Sequence, residues 1–355
     1  MNIALFDAAK FWSGGAERVY LCAVGFKQKG HDVVVVCLPT SRLNLLLKDK
    51  VKIYNVVPLF DLDFFAAFKI FLIILKNKIK ILDIHSPKFY WIGVFVGKLL
   101  NCRVFITRNV EYRKKGLKKL VNRLLYRLCD GVITVSEKIK KNMTEDFEIS
   151  EDKIRFIRDS YVIDTRLKEN IKEKYKIPAD AYVLSIIGRI EENKRQTLAI
   201  DLIKSLINKG YDCYLFIIGQ TEDKRFYNLL TKKVINLNLE KRVIFTGYVT
   251  NVSDYIISSD LVICCSKHEG ISKSVVESLL LKTPVVSTFN FEKESLPNTE
   301  ELFVVSEDNF QRFVELVEKV LNRKRSFPPK LNVDKIEVGK EEMLSQYLDF
   351  YKSKI

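Results

Sequence analysis

Two carboxylates stand out in the segment Ser266-Lys-His-Glu-Gly-Ile-Ser-Lys-Ser-Val-Val-Glu-Ser-Leu-Leu-Leu-Lys-Thr-Pro-Val-Val. Glu269 falls in a loop after the apolar run Leu261–Cys265. Glu277 falls within the first turns of the helix that the pattern predicts next, with Ser272 or Ser274 positioned to cap it. Both acids can therefore point to one side. Between them, around Gly270, Ile271, Ser272, Lys273 and Ser274, the first backbone N–H groups of the helix are free to meet a phosphate.

Cations that such a phosphate would need occur in Ile186-Ile-Gly-Arg-Ile-Glu-Glu-Asn-Lys-Arg. A strand ending in Gly188 hands over to a loop that sets Arg189 and Lys194 beside a helix start, where they could neutralise a departing diphosphate. In Trp12-Ser-Gly-Gly-Ala-Glu-Arg the pair Gly14 and Gly15 lets backbone amides approach a second anion. It lacks the three-glycine spacing of a dinucleotide site, which argues against a nicotinamide enzyme. His85 closes the strand Ile81–His85, and Arg108 and Asn109 close the next one. The segment Tyr112–Leu128 carries seven basic residues, among them Lys114, Lys115, Lys118 and Lys119, and no acid. Its apolar positions Leu117, Leu120, Val121, Leu124 and Leu128 fall at helical spacing, so it suits either an anionic membrane surface or packing on a sheet.

Such residues must be held by strands. Runs at Asn2–Phe6, Val33–Leu38, Ile81–His85, Arg103–Thr107 and Gly131–Val135 alternate with helical patterns, and a second series follows at Val183–Gly188, Cys213–Gly219, Arg242–Thr246, Leu261–Cys265 and Val285–Thr288. Each series predicts an α/β, doubly wound parallel-sheet domain whose ligands bind beyond the carboxyl ends of the strands. The expected division is 1–165, 166–332, and a charged helix over 333–355 that can return to the first domain. The chain has 355 residues and a net charge of +15, of which residues 1–165 hold +12, so the first half is expected to face something anionic. Leu62–Leu75, the most apolar stretch, is too short to span a bilayer and includes Asp63 and Lys69; it is expected to pack on a sheet. The amino terminus predicts no secretory leader, and the odd number of cysteines suits reduced core thiols, together an expectation of a cytoplasmic protein. His and Cys lack metal-ligand spacing, and Asp61-Leu-Asp63 fits a helix start better than a metal site, so no metal and no cofactor are expected.

The pattern Glu-Gly-x-Ser-x-Ser-x-x-Glu-Ser-Leu, following Gly247-Tyr-Val and Asp260-Leu-Val-Ile, resembles glycosyltransferase family 4, also called glycosyl transferases group 1. The Gly188-Arg189…Lys194 element and the Gly14–Gly15 loop resemble that family too, and the likeness covers nearly the whole chain. It implies a GT-B fold, two Rossmann-like domains facing a cleft, and a retaining transfer from a nucleotide-sugar donor. Glu269 would contact hydroxyls of the transferred sugar, Glu277 the nucleotide ribose, and His85 would lie near the donor sugar. The first domain would bind the acceptor, a glycan or lipid-linked molecule such as those of cell-envelope or lipopolysaccharide synthesis. The transferred group would be a hexose or heptose. Three departures stand out: Arg195 where many members have Gly, no Asn-Gly at the hinge, and no glycine-rich loop after Val286. A nucleotide-sugar epimerase and a non-catalytic glycan- or lipid-binding protein are the competing readings. Nucleic acid is not an expected partner, since no recognition module is evident.

Overall fold

The computed structural model describes every residue except 110–116, 222, 270–271, 292–295, 297–299, 306–308 and 324–334, together with the side chains of 117, 118 and 335. Two compact units emerge, Met1–Ser160 with Val338–Ile355, and Tyr161–Glu337.

The first unit runs β1 (Asn2–Asp7), α1 (Gly14–Gln28), β2 (Asp32–Cys37), α2 (Arg42–Leu47), β3 (Lys52–Asn55), α3 (Phe64–Lys76), β4 (Ile81–Ile84), α4 (Tyr90–Leu99), β5 (Arg103–Arg108), α5 (Leu117–Leu128), β6 (Gly131–Thr134), α6 (Glu137–Glu145) and β7 (Ile154–Phe156). Its parallel sheet has the order β3-β2-β1-β4-β5-β6-β7. The central strands are apolar on both faces because helices cover both. Ala4, Phe6, Val34 and Leu82 join α3 to α6 in one core.

The second unit runs β8 (Tyr161–Asp164), α7 (Ile171–Lys174), β9 (Tyr182–Ile187), α8 (Gln196–Asn208), β10 (Cys213–Ile218), α9 (Lys224–Asn236), β11 (Val243–Gly247), α10 (Val252–Ile257), β12 (Leu261–Cys264), α11 (Lys273–Leu280), β13 (Val285–Ser287), β14 (Leu302–Val304), α12 (Phe310–Leu321) and β15 (Lys335–Val338). Its main sheet is β11-β10-β9-β12-β13-β14, with β8 and β15 paired separately. The seam therefore falls before Tyr161, ahead of the 165/166 boundary that the sequence suggested. Tyr161 and Ile163 bury their side chains with Ile256, Val262 and Val275 of the second unit, which is what draws β8 there.

The last helix, α13 (Lys340–Lys352), belongs to the first unit. Its Phe350 ring lies 5.4 Å from that of Phe105 and its Tyr351 ring 4.7 Å from the same ring. Tyr351 Oη donates to the fully buried Asp83 carboxylate at 2.6 Å. Nearby, the buried Arg18 donates through Nε to Asp159 Oδ1 at 2.6 Å, through one terminal nitrogen to Tyr347 Oη at 2.9 Å, and through the other to the Ile157 carbonyl at 2.9 Å. One guanidinium thus ties α1, α13 and the segment after β7 together.

Two helices, α3 and α5, pack on the sheet with only part of their apolar surface. In α3 only Ala66, Ile70, Ile73 and Ile74 are buried, while Phe64, Phe65, Phe68, Leu72 and Leu75 face solvent. Asp63 caps that helix, accepting from Ala66 N at 3.0 Å, the helix-start role expected of it. In α5 it is Leu125 and Tyr126 that enter the core, and the stripe Leu120, Val121, Leu124 and Leu128 is exposed. A run can be apolar beyond what its sheet contact consumes, and composition alone does not say how much is surplus.

The Arg18 tie makes an asymmetric prediction. Asp159→Ala strands a buried guanidinium and is expected to cost roughly 3–5 kcal/mol, whereas Arg18→Met leaves an acid that can rehydrate and costs less. Urea unfolding of the two variants side by side checks the order.

Candidate active site

In the second unit the strand order reverses between β9 and β12, which are direct neighbours with Leu184 opposite Leu261 and Ile186 opposite Ile263. The chain moves outward to β10 and β11 on one side and to β13 and β14 on the other, so the loops leaving β9 and β12 open next to each other, the usual place for a ligand in such a sheet. Asn193 joins these loops. Its Nδ2 donates to the His268 carbonyl at 3.0 Å, its Oδ1 accepts from His268 N at 3.1 Å, and its own carbonyl accepts from Lys267 N at 2.9 Å.

That clamp brings Lys194 to Glu269, where Lys194 Nζ donates to Oε1. Ser266 Oγ donates to the same oxygen at 2.7 Å. The two side chains are 17% and 13% exposed, enough shelter to strengthen the attraction without sealing either group from a ligand. Burial pushes the neighbouring Cys264 thiol up, and the Glu269 carboxylate adds to the effect, so that sulfur stays protonated beside the pair.

Glu277 lies on α11 and meets Lys273 at 3.3 Å, one turn earlier on the same helix. Ser272 occupies the N-cap position, but its hydroxyl pairs with that of Ser274 at 3.1 Å and makes no side-chain cap bond. Ser274 Oγ also donates to the Ile187 carbonyl at 3.4 Å, tying the helix start to the end of β9. Arg189 is half-exposed and lies 3.2 Å from Glu191. Gly188 has φ +149°, and a Cβ on Gly219, at the end of β10, would come within 1.8 Å of the Gly188 carbonyl oxygen. The floor of the site therefore requires glycine at these strand ends. Gly270 and Ile271 lie outside the described residues.

Arg195 fills the position where family members often carry glycine, and its φ of 49° explains why glycine is favoured there. The guanidinium gives something in return: it donates to the Cys265 carbonyl and, at 2.7 Å, to Thr288 Oγ1, joining β9, β12 and β13 at their carboxyl ends.

The first unit has a matching reversal between β1 and β4. Asp7 ends the first strand and His85 follows the second. His85 Nε2 is 3.2 Å from Asp83 Oδ2 with both side chains fully buried. The approach lacks hydrogen-bond alignment, and neither ring nitrogen has an aligned partner among the described residues. Asp83 is instead engaged by Thr107 Oγ1 at 2.8 Å and by Tyr351. Burial raises the Asp7 carboxyl above the ordinary range, while His85 and the Ala9 amide pull the other way. Ser13 caps α1, Gly14 has open space around it, and a Cβ on Gly15 would sit 2.8 Å from Asn109 Nδ2. Arg108 is buried with its guanidinium 6.0 Å from the Tyr126 ring. Lys119 is half-exposed, 3.8 Å from Asp146. Lys114 and Lys115 lie outside the described residues, as does the side chain of Lys118.

Asn193, Ser266, Asp7 and Asp83 went unnoticed in the sequence. Asp83 alone had a signal, since the i, i+2 spacing to His85 along a strand sets both on one face.

Two Rossmann-like parallel sheets, each with a polar cluster at its point of reversal, define the GT-B class of transferase fold. The chain belongs to glycosyltransferase family 4: the profile for Glycosyltransferase Family 4 matches residues 12–159, and that for Glycosyl transferases group 1 matches residues 168–340. A capsular polysaccharide biosynthesis glycosyltransferase of Staphylococcus aureus is 23% identical over 73% of this chain and 72% of its own length. The phosphatidylinositol N-acetylglucosaminyltransferase GPI3 subunit of Saccharomyces cerevisiae is 27% identical over 88% of this chain and 73% of its own. An uncharacterized glycosyltransferase of Methanocaldococcus jannaschii is 29% identical over 54% of this chain, and the match spans only half of that relative's length. Among solved structures, a glycosyltransferase from Rickettsia africae superposes with a TM-score of 0.79 at 19% identity, over 99% of this chain and 98% of its own. An Anabaena protein in complex with UDP and glucose gives 0.76 at 14%, over 91% and 90%. At such identities the solved structures establish the fold.

The left-handed residue gives a stability test. Arg195→Gly and Arg195→Ala both lose the guanidinium bonds, but only glycine relieves the backbone, so the Gly variant should be more stable than the Ala variant by about 1–2 kcal/mol in chemical denaturation.

Proposed function

We propose that this glycosyltransferase moves a hexose or heptose, with retention of configuration, from a nucleoside-diphosphate sugar to a glycan or lipid-linked acceptor of cell-envelope polysaccharide or lipopolysaccharide synthesis. The observation that supports it is the Lys194–Glu269 pair clamped by Asn193 where the strand order reverses, with Arg189 on the same loop. A diphosphate needs cations as its bond to the sugar breaks, and a sugar needs acceptors for its hydroxyls.

In this reading the acceptor hydroxyl attacks the anomeric carbon on the face from which the diphosphate departs. The carbon–oxygen bond to the phosphate breaks, and that phosphate oxygen takes the acceptor proton. Lys194, Arg189 and the amides at the start of α11 carry the developing negative charge; Glu269 holds the sugar hydroxyls and Glu277 the ribose. No metal or other cofactor is needed, because these cations do the neutralising. His85, poised at the end of β4 with unaligned ring nitrogens, is assigned to the sugar's side of the reaction. Gly14 and Gly15 supply a second anion contact.

The UDP and glucose named for the Anabaena structure favour a UDP-sugar, and the capsular polysaccharide and the phosphatidylinositol acceptor named for two relatives favour an envelope or lipid acceptor. The acceptor is assigned to the first unit, near Arg108 and Asn109, with the basic segment that includes Lys114, Lys115, Lys118 and Lys119 adhering to anionic lipid. A cytoplasmic setting, at the inner face of the membrane, suits the seven free, buried cysteines, whose thiols burial pushes up, to about 11 at Cys37 and about 12 at Cys129 and Cys213. Among the described residues no helix is long and apolar enough to cross a membrane.

A thermal-shift panel of UDP-, GDP-, ADP- and CMP-sugars tests the reading. At least one donor should raise Tm, and Glu277→Ala should weaken that donor about tenfold or more through loss of its ribose contact. A panel in which no nucleotide sugar stabilises the protein contradicts the enzyme reading, and isomerised donor without any acceptor would make the protein an epimerase.

A further inference from the structure

The apolar surplus of the first unit is concentrated on three neighbouring helices. Phe64 and Phe65 are 83% and 86% exposed, and Phe68, Leu72 and Leu75 continue the stripe along α3. Helix α3 packs against α4, which exposes Phe95 and Leu99, and α4 packs against α5, which exposes Leu120 and Leu124. Three helices packed side by side thus each expose large apolar side chains on the side of the sheet away from α1, more than singly scattered apolar residues would give. The charges on this face are mostly positive, with Asp61 an exposed acid in the loop that leads into α3. Helices α3, α4 and α5 contain no acidic residue, while Lys69, Lys76, Lys98 and Arg127 stand among or beside the apolar side chains. Ion pairs offset part of the positive charge at its margin, Lys98 with Asp130 and Arg123 with Glu148.

We propose that this face inserts its aromatic and leucine side chains into the interfacial layer of an anionic bilayer, so that α3 lies in the membrane plane. Bulky apolar groups ringed by lysine and arginine match acyl chains beneath negatively charged headgroups. Exposed phenylalanines would also serve a protein interface; the lysines and arginines beside them, with no acid on any of the three helices, favour a negatively charged lipid surface. The loop from β3 into α3 carries exposed Leu59, Phe60 and Leu62. Because the sheet is parallel, that loop lies at the same strand edge as Asp7, His85 and Arg108. Seating the face in the bilayer therefore brings this edge to headgroup level, where a lipid-carried acceptor could be glycosylated without leaving the membrane. The proposal rests on the lipid-linked acceptor reading above, but it assigns the anchoring to apolar insertion by α3 rather than to the charge of the basic helix.

The two modes separate in salt. The purified chain is sedimented with phosphatidylglycerol–phosphatidylcholine vesicles at low ionic strength and at about 1 M salt, where the Debye length is only about 3 Å. Insertion leaves substantial binding in high salt, and the triple variant Phe64→Gln, Phe65→Gln, Phe68→Gln should lower vesicle affinity about 100-fold or more while leaving Tm unchanged, since these rings support no core. As a second readout, Leu72→Cys labelled with an environment-sensitive dye should shift its emission to the blue on adding vesicles; the native thiols are buried and should not take the label. Wild-type sedimentation that vanishes in high salt, a triple variant that binds like wild type, or a concentration-dependent dimer that the triple variant dissolves would each overturn the proposal. The donor thermal shift is independent of these arms: failure of insertion with an intact donor shift removes this proposal alone, and loss of the donor shift removes the enzymatic reading whatever the vesicles do.

Discussion

A lysine and a glutamate 75 residues apart in the chain meet because β9 and β12 are neighbours in a sheet whose order reverses between them. Asn193 bonds across the gap with both its backbone and its amide, and Arg195 reaches the ends of β12 and β13. Without that reversal the two loops would leave the sheet apart. The glycines at 188 and 219, where backbone presses on backbone, follow from the same crowding.

The first unit repeats the device with different chemistry. At its reversal sit a buried carboxyl with a raised pKa, a histidine whose ring nitrogens lack aligned partners among the described residues, and an aspartate held by α13 from the far end of the chain. The C-terminal helix thus contributes to the surroundings of His85 through Tyr351 and Asp83. Here the carboxyls and the imidazole are almost wholly buried, whereas Lys194 and Glu269 keep 17% and 13% of their side chains exposed.

Much of this was legible in the residues. Ten apolar runs gave ten of the parallel strands, and the Glu269, Glu277, Arg189 and Lys194 pattern was sufficient to name a family. The short strands β3, β7 and β14 escaped because edge and near-edge strands of three or four residues carry too little apolar signal. The seam moved because Tyr161 and Ile163 choose a core by packing, which no local pattern records. The exposure of α3 was hidden for a similar reason: its composition is that of a core helix, and only the width of the sheet contact decides how many of its side chains are left over. Asn193 is invisible in the sequence because its importance comes entirely from the neighbouring loop.

The central claim is that Lys194 and Glu269 act together on the bond between sugar and diphosphate. A double-mutant cycle on donor turnover tests it most directly, using Lys194→Ala, Glu269→Ala and the pair. Each single variant should lose about 10²-fold or more in turnover, and the double variant should be little worse than the poorer single, as for groups that work as a unit. Single variants that turn over near the wild-type rate, or losses that simply multiply in the double variant, would contradict the account.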